Sequence, residues 1–349
     1  MTERRLILQW TLLLALSWGG AAPASEEAGH PFITGGYQEV VLSVSDLNGY
    51  VRFFREVAGY RVVHDGPSEP GWSRLWQLPL DSRWDEVLLG NPGTSRGYVR
   101  LIRFQGLPQL QIRSNAQSWD TGGWFDANIR ILDMESKFRQ LQARNWQSVS
   151  DPVQFSFGPF VVKEWLARGP DGVVLAMIER VQPPLEGWPQ LREFSRFFNA
   201  TQIVSDIGDA RRFYVDQLGF QVYLESHRAS AEPGPNVLGL PHNLSSEIRR
   251  HVYIVHPEGS NEGSVELLSY DGATGADFSA RAVPPNLGIL MLRFPVRDMP
   301  GFIDFLGSRG VVVESGPVSL ALPPYGRAQV LSLPGPDGAL LEFYQLEQH

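Results

Sequence analysis

Apolar and polar positions alternate in short runs along most of this chain, and four of the runs end in the same way. Val41-Leu42-Ser43-Val44-Ser45-Asp46, Asn128-Ile129-Arg130-Ile131-Leu132-Asp133, Gln202-Ile203-Val204-Ser205-Asp206 and Leu292-Arg293-Phe294-Pro295-Val296-Arg297-Asp298 each read as a strand running into an acidic residue. Each Asp predicts a helix N-cap, because a carboxylate there accepts the unpaired first-turn N–H groups. The helices should also end alike. Gly59 and Gly219 lie 13 residues after their Asp, and Asn145 and Gly310 lie 12 after theirs; Gly and Asn are the residues that tolerate the left-handed position past a helix end. The two offsets alternate, so the chain reads as a pair of unlike modules that has been duplicated. The identical turns Gly169-Pro170-Asp171-Gly172 and Gly335-Pro336-Asp337-Gly338 support this. They stand 166 residues apart, against 165 between Asp133 and Asp298 and 160 between Asp46 and Asp206.

Within each module the order is strand, helix, then several short strands, as in the runs 161–167 and 173–178 and the alternating Val265-Glu266-Leu267-Leu268. The modules span 35–106, 124–181, 194–270 and 288–346. A linker with Asn115, Ser118, Gly122 and Gly123 separates the first two, and Pro284-Pro285 precedes the fourth. Gln182-Pro183-Pro184-Leu185-Glu186-Gly187-Trp188-Pro189 suits neither helix nor strand interior, which predicts a domain boundary there. The expected class is α+β: four βαβββ modules forming two tandem domains, 35–184 and 190–349. Sheets of paired modules are required, since one small module cannot bury its apolar face alone.

Composition adds a compartment. Arg4 and Arg5 precede the apolar stretch Leu6 to Leu16, and Ala22-Pro23-Ala24 has the small-x-small form of a cleavage site, so residues 1–24 read as an export signal. Residues 25–34 read as a flexible arm. The expected location is periplasmic or secreted, with no membrane span in the mature chain. The formal charge is −8, and removing Glu3, Arg4 and Arg5 makes it −9, which argues against nucleic-acid partners. The absence of cysteine excludes disulfides, thiolate metal sites and a cysteine nucleophile.

The first strand Val40-Val41-Leu42-Ser43-Val44-Ser45-Asp46-Leu47 is followed by paired aromatics, Phe53-Phe54 in one module and Phe213-Tyr214 in another. With Leu218-Gly219-Phe220 and the two Gly-Pro-Asp-Gly turns, these residues resemble the vicinal oxygen chelate superfamily, the fold of glyoxalases, bleomycin-resistance proteins and extradiol dioxygenases. The resemblance covers nearly all of the mature chain. It implies that two βαβββ modules build one domain around a U-shaped pocket. In the metal enzymes of that family, ligands come from the position seven before the capping Asp and from each module's last strand. Here those positions hold Glu39, Arg100, Asp126 and Ala176 in the first domain, and Asn199, Glu266, Met291 and Glu342 in the second.

Arg100 would put a permanent cation where a metal belongs, so no metal is expected in the first domain. Glu39, Arg100 and Asp126 read either as a ligand pocket or as a buried ion-pair cluster in an emptied site. Glu266 and Glu342 are expected to approach each other across the second pocket, as an acid/base pair, as ligands of a divalent metal, or as wall residues. Asn199 and Met291 complete that pocket. His251 and His256, five apart on one strand, face opposite sides, and His251 is a pocket candidate. Trp72, Trp76 and Trp84 suit core packing or an apolar cleft. The leading reading is an exported protein binding a small apolar or aromatic molecule. The alternatives are a metal-dependent lyase, isomerase or dioxygenase, and an interaction protein that dimerises through exposed module edges.

Overall fold

A computed structural model of the chain describes residues 29–69, 71–114, 117–157 and 159–347. The first module supplies β1 (Glu39–Ser43), α1 (Leu47–Glu56), β2 (Arg61–Pro67), the single turn α2 (Trp72–Leu75), β3 (Arg83–Gly90) and β4 (Tyr98–Gln105). The second runs β5 (Asp126–Ile131), α3 (Met134–Gln142), β6 (Val153–Phe157), β7 (Phe160–Arg168) and β8 (Val174–Gln182). The third contains β9 (Phe194–Ile203), α4 (Ile207–Arg211), which continues into a π-helical stretch, then β10 (Gln221–Arg228), β11 (Arg250–His256) and β12 (Ser264–Tyr270). The fourth contains β13 (Gly288–Pro295), α5 (Met299–Ser308), β14 (Ser315–Leu322), β15 (Gly326–Pro334) and β16 (Leu340–Leu346).

All four expected N-caps form. Asp46, Asp133, Asp206 and Asp298 accept from the backbone N–H three residues on, at Gly49, Ser136, Asp209 and Gly301. The four residues expected past the helix ends, Gly59, Asn145, Gly219 and Gly310, are all left-handed, with φ of 72°, 61°, 80° and 77°.

The modules pair in an order that the repeat does not reveal. Sheet I runs β14-β15-β16-β13-β1-β4-β3-β2 and sheet II runs β10-β11-β12-β9-β5-β8-β7-β6. Module one therefore shares a sheet with module four, and module two with module three, whereas domains 35–184 and 190–349 would have joined consecutive modules. The first strands make both joins, β1 antiparallel to β13 and β5 antiparallel to β9. Consecutive modules are held together differently, by the repeated turn. Asp171 accepts from the backbone N (2.8 Å) and Oγ (2.7 Å) of Ser45, and Asp337 accepts from the backbone N of Ser205 (3.0 Å). A backbone contact also ties module one to module three. A Cβ on Gly36 would lie 2.3 Å from the carbonyl oxygen of Gly263, whose own φ is +94°, so both positions require glycine.

Strand alternation divides the apolar residues between three cores. One takes in residues of both sheets and of α1, α3, α4 and α5, including Val40, Leu42, Ala127, Ile129, Phe294 and Phe302. The opposite face of sheet I carries a second core around Trp72, Trp76, Trp84 and Phe104, and that of sheet II a third around Phe125, Leu166, Val174 and Leu268. These last two faces are the concave sides of the curled sheets, turned away from the core that the sheets share.

The expected leader, residues 1–24, lies outside the described residues. The arm is docked from Gly29 onward, contrary to the flexible segment expected at 25–34. His30 is buried; its Nδ1 accepts from the N–H of Phe32 (3.1 Å) and Ile33 (2.8 Å), which leaves Nε2 to donate to the carbonyl of Leu218 (2.7 Å). Among the described residues no helix is long and apolar enough to cross a membrane.

Candidate functional site

On sheet I, alternation puts Glu39, Glu86, Arg100, Arg293 and Glu342 on the concave face together with the tryptophan core. Arg100 donates to both oxygens of Glu39 (2.8 and 2.7 Å), to Glu86 (2.9 Å) and to the carbonyl of Pro323 (2.7 Å). Arg293 donates to Glu342 (2.6 Å) and Glu39 (3.2 Å), and its guanidinium lies 4.6 Å from the ring centre of Trp72. Trp76 Nε1 donates to the other oxygen of Glu342 at 2.5 Å. Glu39, Arg100 and Glu342 are 0 % exposed. Burial alone would raise the pKa of Glu39, but Arg100, helped by Arg293, overrides it and holds the carboxyl below its ordinary range. The concave face of sheet I is thus occupied by its own side chains.

Several expectations change here. Glu39 and Arg100 do pair, but Asp126 belongs to sheet II. Met291 is buried in the tryptophan core opposite Val41, and Arg293, two residues further along the same face of β13, is the residue opposite Glu39. Glu342 and Glu266 do not meet across one pocket, since β16 is in sheet I and β12 in sheet II. Trp72, Trp76 and Trp84 are core residues whose rings pack on one another at a tilt.

On sheet II the concave face carries Asp126 and Asn128 from β5, Glu164 from β7, Asn199 and Thr201 from β9, and Ser264 and Glu266 from β12. Asp126 pairs with Thr201 across the β5–β9 join, and Thr201 pairs with Glu266, so these three stand in one row. In the next row Asn128 donates to Asn199 Oδ1 (2.7 Å), and Asn199 donates to Ser264 Oγ (2.7 Å). Asn128 also reaches Asp126 Oδ1 at 3.2 Å. Glu164 and Glu266 make no hydrogen bond or ion pair among the described residues. Both residues are half-buried. Burial pushes Glu164 and Glu266 each up to about 8, and neighbouring carboxylates add to it: Glu266 and Asp126 act on Glu164, and Asp126 acts on Glu266. Burial likewise lifts Asp126 to about 7, against the opposing pull of hydrogen bonds from Thr201 and Asn128 and the charge of Arg113.

On the same face the third core frames a cavity of about 200 Å³ whose lining includes Ser118, Phe125, Gln147, Leu166, Arg168 and Val174 but none of the three carboxylates. Val237 and Leu238 close over the core from the loop after β10. The carboxylate row and the cavity share one face of one sheet.

Neither face suits a catalytic divalent ion. Sheet I places two guanidinium groups among its carboxylates. On sheet II the metal positions implied by the family likeness hold Asp126, Ala176, Asn199 and Glu266. Ala176 has no donor, and both ends of the Asn199 amide are engaged. Among the described residues no three carboxylate or imidazole groups converge as ligands.

His251 does not line the cleft. It shares a face of β11 with Tyr253 and Val255, which pack on the core between the sheets, whereas Val252 points to the cleft. His256 lies on the cleft side of β11, buried at its end, where desolvation pushes its imidazole down to about 4. Arg293, Glu86 and Glu164 are site residues not expected from the sequence. Arg293 had a readable signal, a lone charge within Leu290-Met291-Leu292-Arg293-Phe294. Glu164 had a weaker one, since alternation puts it on the same side as Val162 and Leu166 in Val161-Val162-Lys163-Glu164-Trp165-Leu166.

A scan against protein-family models and a search of curated proteins found no match to the sequence. Solved structures do match. Glyoxalase I from Zea mays superposes with a TM-score of 0.57 at 13% identity, covering 89% of this chain and 92% of that one. A putative dioxygenase from Bacillus subtilis gives 0.53 at 13% identity, covering 89% and 84%. At such identities the likeness establishes the fold. The chain has the vicinal oxygen chelate fold, built as two curled eight-stranded sheets.

Proposed function

We propose that the concave face of sheet II binds a small, largely apolar organic molecule and exchanges a proton with it through Asp126, Glu164 and Glu266. The observation that carries this reading is the contrast between the two sheets. Sheet I answers each buried carboxylate with a guanidinium, while sheet II leaves Glu164 and Glu266 without a partner among the described residues, on the face that also carries a cavity. An unpaired, enclosed carboxylate is costly for a fold unless it has a use. A raised pKa keeps such a group protonated near neutral pH, able to donate a hydrogen bond or act as a general acid, and Asp126, lifted to about 7, is poised to act either way. The cavity of about 200 Å³ has room for a single small ring. Phe125, Leu166 and Val174 would hold its apolar part. We also read residues 1–24 as an export signal, which would place this binding outside the cytoplasm.

The test is a thermal-shift screen of small aromatic and heteroaromatic compounds on the wild type, Asp126→Asn, Glu164→Gln, Glu266→Gln and, as the sheet I comparison, Glu342→Gln. Ligand-induced shifts should fall in the three sheet II variants and persist in Glu342→Gln. The reverse pattern, with binding lost only in Glu342→Gln, would remove sheet II as the site.

A further inference from the structure

Away from the cleft, on the other face of the same sheet, β10 and β11 set His227 directly opposite His251. Their Nδ1 atoms face each other at 2.8 Å. The second nitrogen of each ring is already engaged: His227 Nε2 lies 2.7 Å from Glu225 Oε1, and His251 Nε2 lies 2.9 Å from Asp271 Oδ1. An ionised carboxylate can only accept, so each Nε2 carries its ring's hydrogen. In the neutral rings both Nδ1 atoms then hold lone pairs turned into the same gap, with the ring centres 4.9 Å apart. Such an arrangement needs a cation between them, either a proton or a metal ion.

Three features favour a metal. An imidazole whose outer N–H is held by a carboxylate is the arrangement that orients and strengthens a metal-ligating histidine, and both rings have it. Two metal–nitrogen bonds of about 2.0 Å at a right angle set the nitrogens roughly 2.9 Å apart, close to the observed 2.8 Å and suited to the tetragonal geometry of Cu(II) or Ni(II). The side chains are also 35% and 20% exposed, so a hydrated ion can reach them without opening the fold. The surrounding charges are mixed. Glu225 is fixed by the Tyr253 hydroxyl (2.9 Å) and feels Arg211, and Asp271 lies 4.0 Å from Arg249.

We propose that His227 and His251 form a two-imidazole site for a Cu(II)- or Ni(II)-like ion, completed by water, which clips edge strand β10 to β11. The site is separate from the sheet II cleft and does not depend on the function assigned there. The test uses the full chain without an affinity tag, titrated with Cu(II) at pH 7.5 by calorimetry and electron paramagnetic resonance. The expected result is one copper per chain, hyperfine coupling to two imidazole nitrogens, and a rise in unfolding temperature on adding copper. His227→Gln and His251→Gln should each weaken binding at least tenfold and lose the copper-induced rise, while His242→Gln, in an exposed loop, should behave as wild type. Asp271→Asn keeps both rings and should weaken binding about tenfold, so the proposal stays testable if a histidine variant fails to fold. Copper binding equal in all of these proteins, or no stoichiometric binding with a single shared proton seen in the ¹⁵N-histidine spectrum, would overturn it.

Discussion

Replacing Arg100 with Met is the sharpest test of how sheet I is closed. The buried cluster holds three carboxylates, Glu39, Glu86 and Glu342, and two guanidiniums, Arg100 and Arg293. Without Arg100, Glu39 and Glu342 share Arg293, Glu86 is left with His64 at 3.8 Å, Glu39 loses its two-point contact, and the Pro323 carbonyl loses its donor. Stranding buried charge in this way costs about 3–5 kcal/mol. For a chain of this size that corresponds to a fall of roughly 4–7 °C in unfolding temperature. Urea denaturation followed by tryptophan fluorescence is a direct assay, because Trp72 and Trp76 contact the cluster. The pH dependence supplies a second readout. Glu39 has a depressed folded-state pKa, so the stability it contributes is present above the ordinary value of 4.5 and is lost as pH falls through the lower folded value. The gap between wild type and Arg100→Met should therefore narrow as pH drops below about 4.5. A variant within about 0.5 kcal/mol of wild type, or a gap equally wide at pH 4 and pH 7, would refute the reasoning.

Glu342→Gln should lose about 1–3 kcal/mol by the same assay, less than Arg100→Met, because it removes a partner of Arg293 and Trp76 yet leaves charges balanced. Glu164→Gln and Glu266→Gln should behave oppositely. Their folded pKa values lie above the unfolded ones, so the wild type loses stability as pH rises from about 4.5 to about 8. Each variant should therefore be more stable than wild type at pH 8.5, by on the order of 1 kcal/mol after allowing for solvent, with the gain gone at pH 4; a gain independent of pH would count against the assignment. Burial lowers the pKa of His30, whose neutral ring makes the three hydrogen bonds of the arm, so wild-type stability should drop as pH falls below 6.5 and His30→Ala, though less stable at neutral pH by about 1–3 kcal/mol, should have a shallower acid slope in the same melts. N-terminal sequencing of exported protein should begin at Ser25; recovery of residues 1–24 in a membrane pellet would sink the cleavage reading.

Much of the fold was legible because it is encoded by local chemistry. An Asp before a helix and a Gly or Asn after it act within a few residues, so Asp46, Asp133, Asp206 and Asp298 and their partners Gly59, Asn145, Gly219 and Gly310 marked all four helices, and the four βαβββ modules followed. The twinned Gly-Pro-Asp-Gly turns were visible too, but their work was not. Asp171 and Asp337 reach across to Ser45 and Ser205, and only the folded chain brings those groups together. The choice of sheet partner was likewise beyond the sequence. Every module's first strand offers a similar open edge, and whether β1 pairs with β5 or β13 depends on how the helices pack between the sheets. That choice decided the site. It separated Asp126 from Glu39, set Glu342 against Arg293 instead of Glu266, and brought Glu266 to the face that Asp126 and Glu164 share. Residue type and spacing determine which side chains face a pocket. Which pocket they face, and whether a counter-charge is waiting there, is fixed by contacts between residues 61 to 254 apart in the chain.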